Sequence, residues 1–255
     1  MLKIQKQGIL EPEYSNEKKG IDIDMLYQYA INIGEITNTA QLKDLMNDLS
    51  KERVVRVNKY YFERDKIRCI IAEILLRYIL QKQFGLENNQ IKFQYSPYGK
   101  PFLAFNENIY FNLSHSGDWV VCAVDNYPIG VDIEKNKELY LLHAYSFFSK
   151  KEIQLLHDTS KDKQTDLFYR IWTLKESFVK NIGKGLNYSF NKFYFDFNDN
   201  KIRFFQNDIV NNDFQFISLK LDEFHWYALC TKCNQHDITN KMKIVTIKDF
   251  FENAK

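Results

Sequence analysis

The sequence predicts an α+β fold, and three observations carry that expectation. Two stretches have apolar residues at helical spacing, many short stretches alternate like strands, and the order helix-then-strands occurs twice. Short strands joined by short turns favour antiparallel pairing. The expected architecture is two similar α/β halves, each a small antiparallel sheet packed on a long helix, with the boundary near residues 125–131. Residues 1–128 form the first half and 129–255 the second, and the first forty or so residues carry no assignment.

The first helix is read over Asp65–Phe84. Ile67, Ile70, Ile71, Ile74, Leu75, Tyr78 and Ile79 recur at helical intervals, and Gly85 follows as a C-terminal cap. This pattern predicts an amphipathic helix. Strands follow at Ile91–Tyr95, Pro101–Phe105, Ile109–Leu113, Trp119–Val124 and Ile129–Glu134, with Ser96-Pro97-Tyr98-Gly99 as a turn. In the second half Ser149 and Glu152 have capping-box spacing and open a helix near Lys150–His157. A longer helix spans about Thr165–Ile182, with the stripe Leu167, Ile171, Leu174, Phe178 and Ile182, and ends at Gly183-Lys184-Gly185. Alternating segments at Lys192–Phe197, Ile202–Phe205, Phe214–Leu219 and Trp226–Cys230 complete the set.

Composition narrows the class. The 255 residues are 45% hydrophobic and 27% charged, ordinary for a globular chain, and 9 Gly with 4 Pro leave little for flexible linkers. A net charge of +2 predicts no general affinity for nucleic acid. No apolar run approaches bilayer-spanning length and the N-terminus lacks a continuous apolar region, so a soluble, cytoplasmic protein without membrane partners is expected. The four cysteines fit reduced core thiols better than a disulfide framework. Cys230 and Cys233 have C-x-x-C spacing with His236 nearby, but no convincing fourth ligand supports a zinc site.

The chemistry concentrates in two segments. In Gly130-Val131-Asp132-Ile133-Glu134 the carboxylates lie two residues apart on a strand, so they share a face at roughly 6.5–7 Å between α-carbons. Ile129, Val131 and Ile133 fill the other face. In the second segment, Trp172, Glu176 and Lys180 follow at i, i+4 and i+8 on one helix face, with Lys175 offset. Each segment alone reads first as a solvated surface. Together they supply three hard oxygen donors, which suit Mg²⁺ shared with a substrate's phosphates. Asn112-Leu113-Ser114-His115-Ser116-Gly117 ends a strand where a His can donate to phosphate. Arg53, Arg56, Lys59, Arg64, Lys66 and Arg68 make a basic run that is either a solvated face or a phosphate cradle. No phosphate-binding P-loop, dinucleotide G-x-G-x-x-G or G-x-S-x-G elbow is present.

Taken together, Tyr98-Gly99-Lys100-Pro101, Phe111 to Gly117, Gly130 to Glu134, Phe147 to Glu152, and Trp172 to Lys180 with Gly183-Lys184-Gly185 resemble the 4′-phosphopantetheinyl transferases of the surfactin-synthetase-activating type. The match covers about residues 50–190. It implies a pseudo-twofold pair of α/β halves and transfer of phosphopantetheine from coenzyme A to a serine of an apo peptidyl or acyl carrier protein. Residue by residue, it implies Asp132, Glu134 and Glu176 as ligands of Mg²⁺, with Mn²⁺ as an alternative ion. Lys180 and Lys175 would lie near the pyrophosphate, and Ser114 and His115 at the nucleotide phosphates. Tyr98, Gly99, Lys100 and Pro101 would pack on adenine, and Arg53, Arg56 and Arg68 would receive the 3′-phosphate. Glu176, Lys180 and His115 are then the catalytic set, with Glu176, or a metal-bound water it orients, accepting the serine proton. Cys69 stands where relatives carry a threonine, and a thiol is a poor donor to the 3′-phosphate. The resemblance also implies a monomer and a carrier docked near Gly183–Tyr188. A non-catalytic module that binds coenzyme A or a carrier is the competing class, and a Mg²⁺-dependent phosphodiester hydrolase is a competing enzyme.

Overall fold

The computed structural model describes residues 25–137, 142–197, 201–232 and 238–253. Its first part runs β1 (Tyr27–Asn32), α1 (Lys51–Asn58), α2 (Glu63–Phe84), β2 (Phe93–Tyr95), β3 (Pro101–Leu103), β4 (Tyr110–Ser116), β5 (Trp119–Asp125) and β6 (Ile129–Lys135). Then come α3 (Leu142–Phe147), α4 (Lys150–Asp158), α5 (Lys161–Ile182), β7 (Phe193–Asp196), β8 (Arg203–Gln206) and β9 (Ile209–Val210). The chain finishes with β10 (Gln215–Lys220), β11 (His225–Thr231), β12 (Met242–Val245) and α6 (Ile247–Asn253). Cys233 and His236, and most of the unassigned N-terminal stretch, lie outside the described residues.

The fold is α+β, with antiparallel sheets and a long helix in each half as expected. Helix α2 packs on β5 and β4, and α5 packs on β6 and β11. Two differences have physical causes. The first helix is not amphipathic: every residue from Cys69 to Leu80 is buried, because α1 and α6 also contact it. Its charged residues in that stretch, Glu73 and Arg77, neutralise each other at 2.8 Å, and Glu73 also accepts from Ser50 and Arg53. The second difference is in the sheet order β12-β1-β5-β4, where β12 pairs with β1 in parallel. A C-terminal strand thus completes the sheet of the first half.

Strand alternation sorts the cores. Val120, Cys122 and Val124 of β5 face α2, while Val121 and Ala123 join Ile129, Val131 and Ile133 of β6, and Tyr227 and Leu229 of β11, in a second cluster. The sheet β10-β11-β6 therefore shares a core with the first sheet and turns its other face to α5. A third cluster packs Leu174, Phe178 and Val179 of α5 on Phe193, Phe195, Phe204, Ala228 and Cys230. Gly85 and Gly183 end the two long helices in the left-handed conformation, and Ser149 with Glu152 closes its capping box.

Candidate active site

With Ile129, Val131 and Ile133 committed to the core between the sheets, the even positions of β6 face α5. Gly130 is where they cross. A β-carbon there would lie 2.1 Å from the Ser177 carbonyl oxygen and 2.3 Å from the Asn181 nitrogen, so only glycine lets the helix come so close. Asn181 fastens the crossing by donating to the carbonyls of Pro128 at 2.6 Å and Cys230 at 3.0 Å. One residue before each of these contacts, α5 carries Glu176 and Lys180 to the Asp132 side of the crossing.

Lys180 Nζ donates to Asp132 Oδ1 at 2.6 Å and to Ser114 Oγ at 3.0 Å. Ser114 in turn donates to Asp132 Oδ1 at 2.9 Å, and Ser116 donates to Glu134 Oε2 at 2.8 Å. Burial, opposed by Lys180, raises the Asp132 carboxyl above its ordinary range. Burial and the neighbouring Asp132 raise Glu134. Glu176 is pushed up to about 7 by burial and by Asp132 and Glu134, with Lys180 opposing. One ammonium faces three carboxylates, and the cluster lacks positive charge.

That shortage is the test of whether a metal fits. Among the described residues no three His, Cys, Asp or Glu side chains stand in a ligating arrangement as they are. The donor set nevertheless suits a hard divalent cation: all three groups are carboxylates whose ionisation burial opposes, and Asp132 Oδ2 is buried with no hydrogen-bond partner.

Beside the acids lies a cluster of cations. The His115 ring is held down to about 4 by desolvation and then by Arg68, Lys180 and Arg56, so these four side chains share one field. The imidazole is therefore neutral at pH 7 in the free protein. Arg68 Nη1 donates to the Gly117 carbonyl at 3.0 Å and Nη2 to Asp65 at 2.7 Å, while its buried Nε has no partner. Arg56 is exposed on α1.

Two basic residues, Lys175 and Arg53, are placed differently from expectation, and Lys100, which lines the cavity beside Tyr98 and Pro101, is tied down there by backbone carbonyls. Lys175 is fully buried, paired with Glu152 at 2.9 Å and donating to the carbonyls of Phe190 and Phe193 at 2.8 and 2.6 Å. A buried ammonium in that cage holds α5 to α4 and β7 and does not reach the cleft. Lys100 Nζ donates to the carbonyls of Ile129, Lys180 and Asn181 at 2.7–2.9 Å, and burial lowers it to about 8. It bolts the turn to the end of α5 and leaves no donor for a phosphate. Arg53 turns inward to Glu73 at 3.0 Å and to the Cys69 sulfur at 3.5 Å, so the thiol accepts rather than donates.

Tyr98 and Pro101 line a mostly apolar cavity of about 280 Å³ with Ile109, Phe111, Pro128 and Ile182. Gly99, at φ 82°, makes the turn that places them. Ser116 was missing from the expected site. Its signal in the sequence is the polar alternation Asn112, Ser114, Ser116 along β4.

Residues 37–126 match the model of the 4′-phosphopantetheinyl transferase N-terminal domain, and residues 128–239 match that of the 4′-phosphopantetheinyl transferase superfamily. The 4′-phosphopantetheinyl transferase Sfp of Bacillus subtilis is 38% identical over 165 residues, covering 65% of this chain and 74% of that protein. The transferase ffp of Bacillus subtilis is 39% identical over the same length and shares, and gsp of Aneurinibacillus migulanus is 38% identical over 60% of this chain and 64% of its own. With two matched domain models meeting at the β5–β6 junction and relatives of this identity, the chain belongs to the 4′-phosphopantetheinyl transferase family.

Proposed function

We propose that the chain transfers the phosphopantetheine arm of coenzyme A to a serine of an apo peptidyl or acyl carrier protein in a Mg²⁺-dependent reaction. The observation that carries this is the meeting of Asp132, Glu134 and Glu176 with Lys180, next to Arg56, Arg68 and His115. A pyrophosphate is an anion that needs both a cation held by carboxylates and basic side chains. Asp132, Glu134 and Glu176 would hold Mg²⁺, which supplies charge neutralisation at the phosphoryl oxygens when bound.

The protein's own residues position and neutralise. Lys180, shared between Asp132 and Ser114 at the edge of the acid cluster, would supply positive charge to the substrate's phosphates. Ser114 and His115 face the nucleotide phosphates, and Arg56 and Arg68 supply charge for the 3′-phosphate. The cavity by Tyr98 and Pro101 is apolar enough for a purine face. The carrier serine Oγ attacks the β-phosphorus, its bond to the bridging oxygen breaks, and adenosine 3′,5′-bisphosphate leaves with the electron pair. Glu176 takes the serine proton as the general base of the cluster. The carrier docks beside the Gly183–Tyr188 segment. The basic cleft and the acid cluster argue for turnover rather than binding alone.

Intact mass spectrometry of an apo carrier incubated with the protein, coenzyme A and Mg²⁺ tests this. A phosphopantetheine-sized mass gain that requires Mg²⁺ and disappears with Asp132→Ala is expected. Coenzyme A binding without any gain on peptidyl, aryl or acyl carriers would overturn it. Glu176→Gln should lower kcat by about 10²-fold or more, typical of a lost general base, while free coenzyme A still binds. Full turnover by that variant at saturating Mg²⁺ would remove the proton-acceptor role.

A further inference from the structure

β4 and β6 run side by side but belong to different sheets, with no backbone pairing between them. Side chains make the connection instead. Asn112 Oδ1, Ser114 Oγ and Ser116 Oγ, at alternate positions of β4, accept the N–H groups of Val131, Ile133 and Lys135, at alternate positions of β6, at 2.9, 3.4 and 3.0 Å. Each oxygen stands where a neighbouring strand's carbonyl would be.

The serine rungs do a second thing that the asparagine rung does not. A seryl oxygen that accepts an N–H still has its own proton to give. Ser116 gives it to Glu134 Oε2 at 2.8 Å and Ser114 gives it to Asp132 Oδ1 at 2.9 Å, while Asn112 touches no carboxylate. Ser114 shares its oxygen with Lys180 as well. Ser116 has Lys135 N–H and Glu134 as its two partners, so its hydroxyl direction is set by the strand and spent on one carboxylate.

We propose that Ser116 is a positioning residue that fixes Glu134 for cation binding, transmitting the β4–β6 register to that carboxylate. The inference rests on Asp132, Glu134 and Glu176 being the cation's ligands. A ligating carboxylate held by an outer hydrogen bond typically loses about 10–100-fold in metal affinity when that bond is removed.

The test is Mn²⁺ binding followed by electron paramagnetic resonance, with thermal melting alongside, on the wild type, Ser116→Ala, Ser116→Thr, Asn112→Ala and Asp132→Ala. Ser116→Ala should weaken Mn²⁺ by about tenfold or more and Ser116→Thr, which keeps the hydroxyl, should recover most of it. Asn112→Ala removes an N–H acceptor of the same ladder and should lower the melting temperature with Mn²⁺ affinity within about twofold of wild type. Equal weakening by both alanine variants, or no weakening by Ser116→Ala, overturns the proposal. If Ser116→Ala does not fold, Ser116→Cys, a weak donor, takes its place under the same criteria. A wild type without saturable Mn²⁺ binding, or an Asp132→Ala variant that binds as well, sinks the ligand assignment itself and the proposal with it.

Discussion

His115 is a histidine placed among cations. Desolvation and the fields of Arg68, Lys180 and Arg56 favour its neutral form down to about pH 4, against 6.5 for an unperturbed ring. Between those values the unfolded chain binds this proton and the folded one does not, so His115 makes stability rise with pH across that window and contributes nothing above it. A bound phosphate reverses the field. The His115 ring, followed by nuclear magnetic resonance, should titrate near 4 in the free protein and at least about one unit higher with adenosine 3′,5′-bisphosphate bound. A midpoint that ignores the nucleotide would show that no phosphate approaches this ring. At this scale the sequence was most informative about acids and least about bases. Asp132, Glu134 and Glu176 were legible because strand and helix periodicity fix which way they point. Lys175 and Arg53 were not, because a long cationic side chain goes to whichever carbonyls or carboxylates the tertiary fold sets within reach. Lys175 meets Glu152 only because α4 lies across α5, and local spacing holds no trace of that.

The helices were legible wherever their own residues capped them. Gly85, Gly183 and the Ser149–Glu152 box marked ends that the structure keeps within a few residues. Helix α1 went unread inside the basic run, since eight residues with a short apolar stripe resemble a solvated loop, and its Ser50 cap accepts from Arg53 at 3.2 Å. β1 and β12 were missed because a short strand gains its stability from partners distant in sequence. The close crossing of α5 over β6 is the element-level contact on which the site depends, and Gly130 carries it. In Gly130→Ala the new carbon meets the α5 backbone at Ser177 and Asn181, which must move. Urea denaturation should show a loss of about 3 kcal/mol, the upper end of overpacking costs. Turnover should fall further, about 10²-fold, because Glu176 and Lys180 move away from Asp132 with the helix. Gly85→Ala is the comparison: no atom lies within 4 Å of its added carbon, so only the strain of φ 64°, about 1–2 kcal/mol, is expected, with kcat unchanged. Equal loss of activity in the two variants would mean that the crossing does not set the site.

Duplication was visible in the order of elements, and the two family models match residues 37–126 and 128–239. The sequence did not reveal how little the halves are separate. Trp119 Nε1 donates to Asp222 at 2.7 Å, Tyr227 donates to Gln28 at 3.0 Å, and Thr231 donates to Asp125 at 2.9 Å, each across the boundary. The central apolar cluster draws Ala30, Trp119, Val121 and Ala123 from one side and Ile129, Val131, Ile133, Ile217, Tyr227 and Leu229 from the other. β12 returns from the far end of the chain to pair with β1. Either half unfolding alone would expose one wall of that cluster and break buried hydrogen bonds, a cost that the remaining half cannot recover. The whole chain should therefore melt as one unit, with a calorimetric enthalpy equal to the van't Hoff enthalpy. A fragment of residues 129–255 should lack the near-ultraviolet signal of packed aromatics, since its half of the cluster would face water. Two resolved transitions in calorimetry, or a folded 129–255 fragment, would establish the halves as independent domains and make the cleft a hinge; a single transition makes it a rigid seam, in which substrate meets carboxylates already fixed by both sheets.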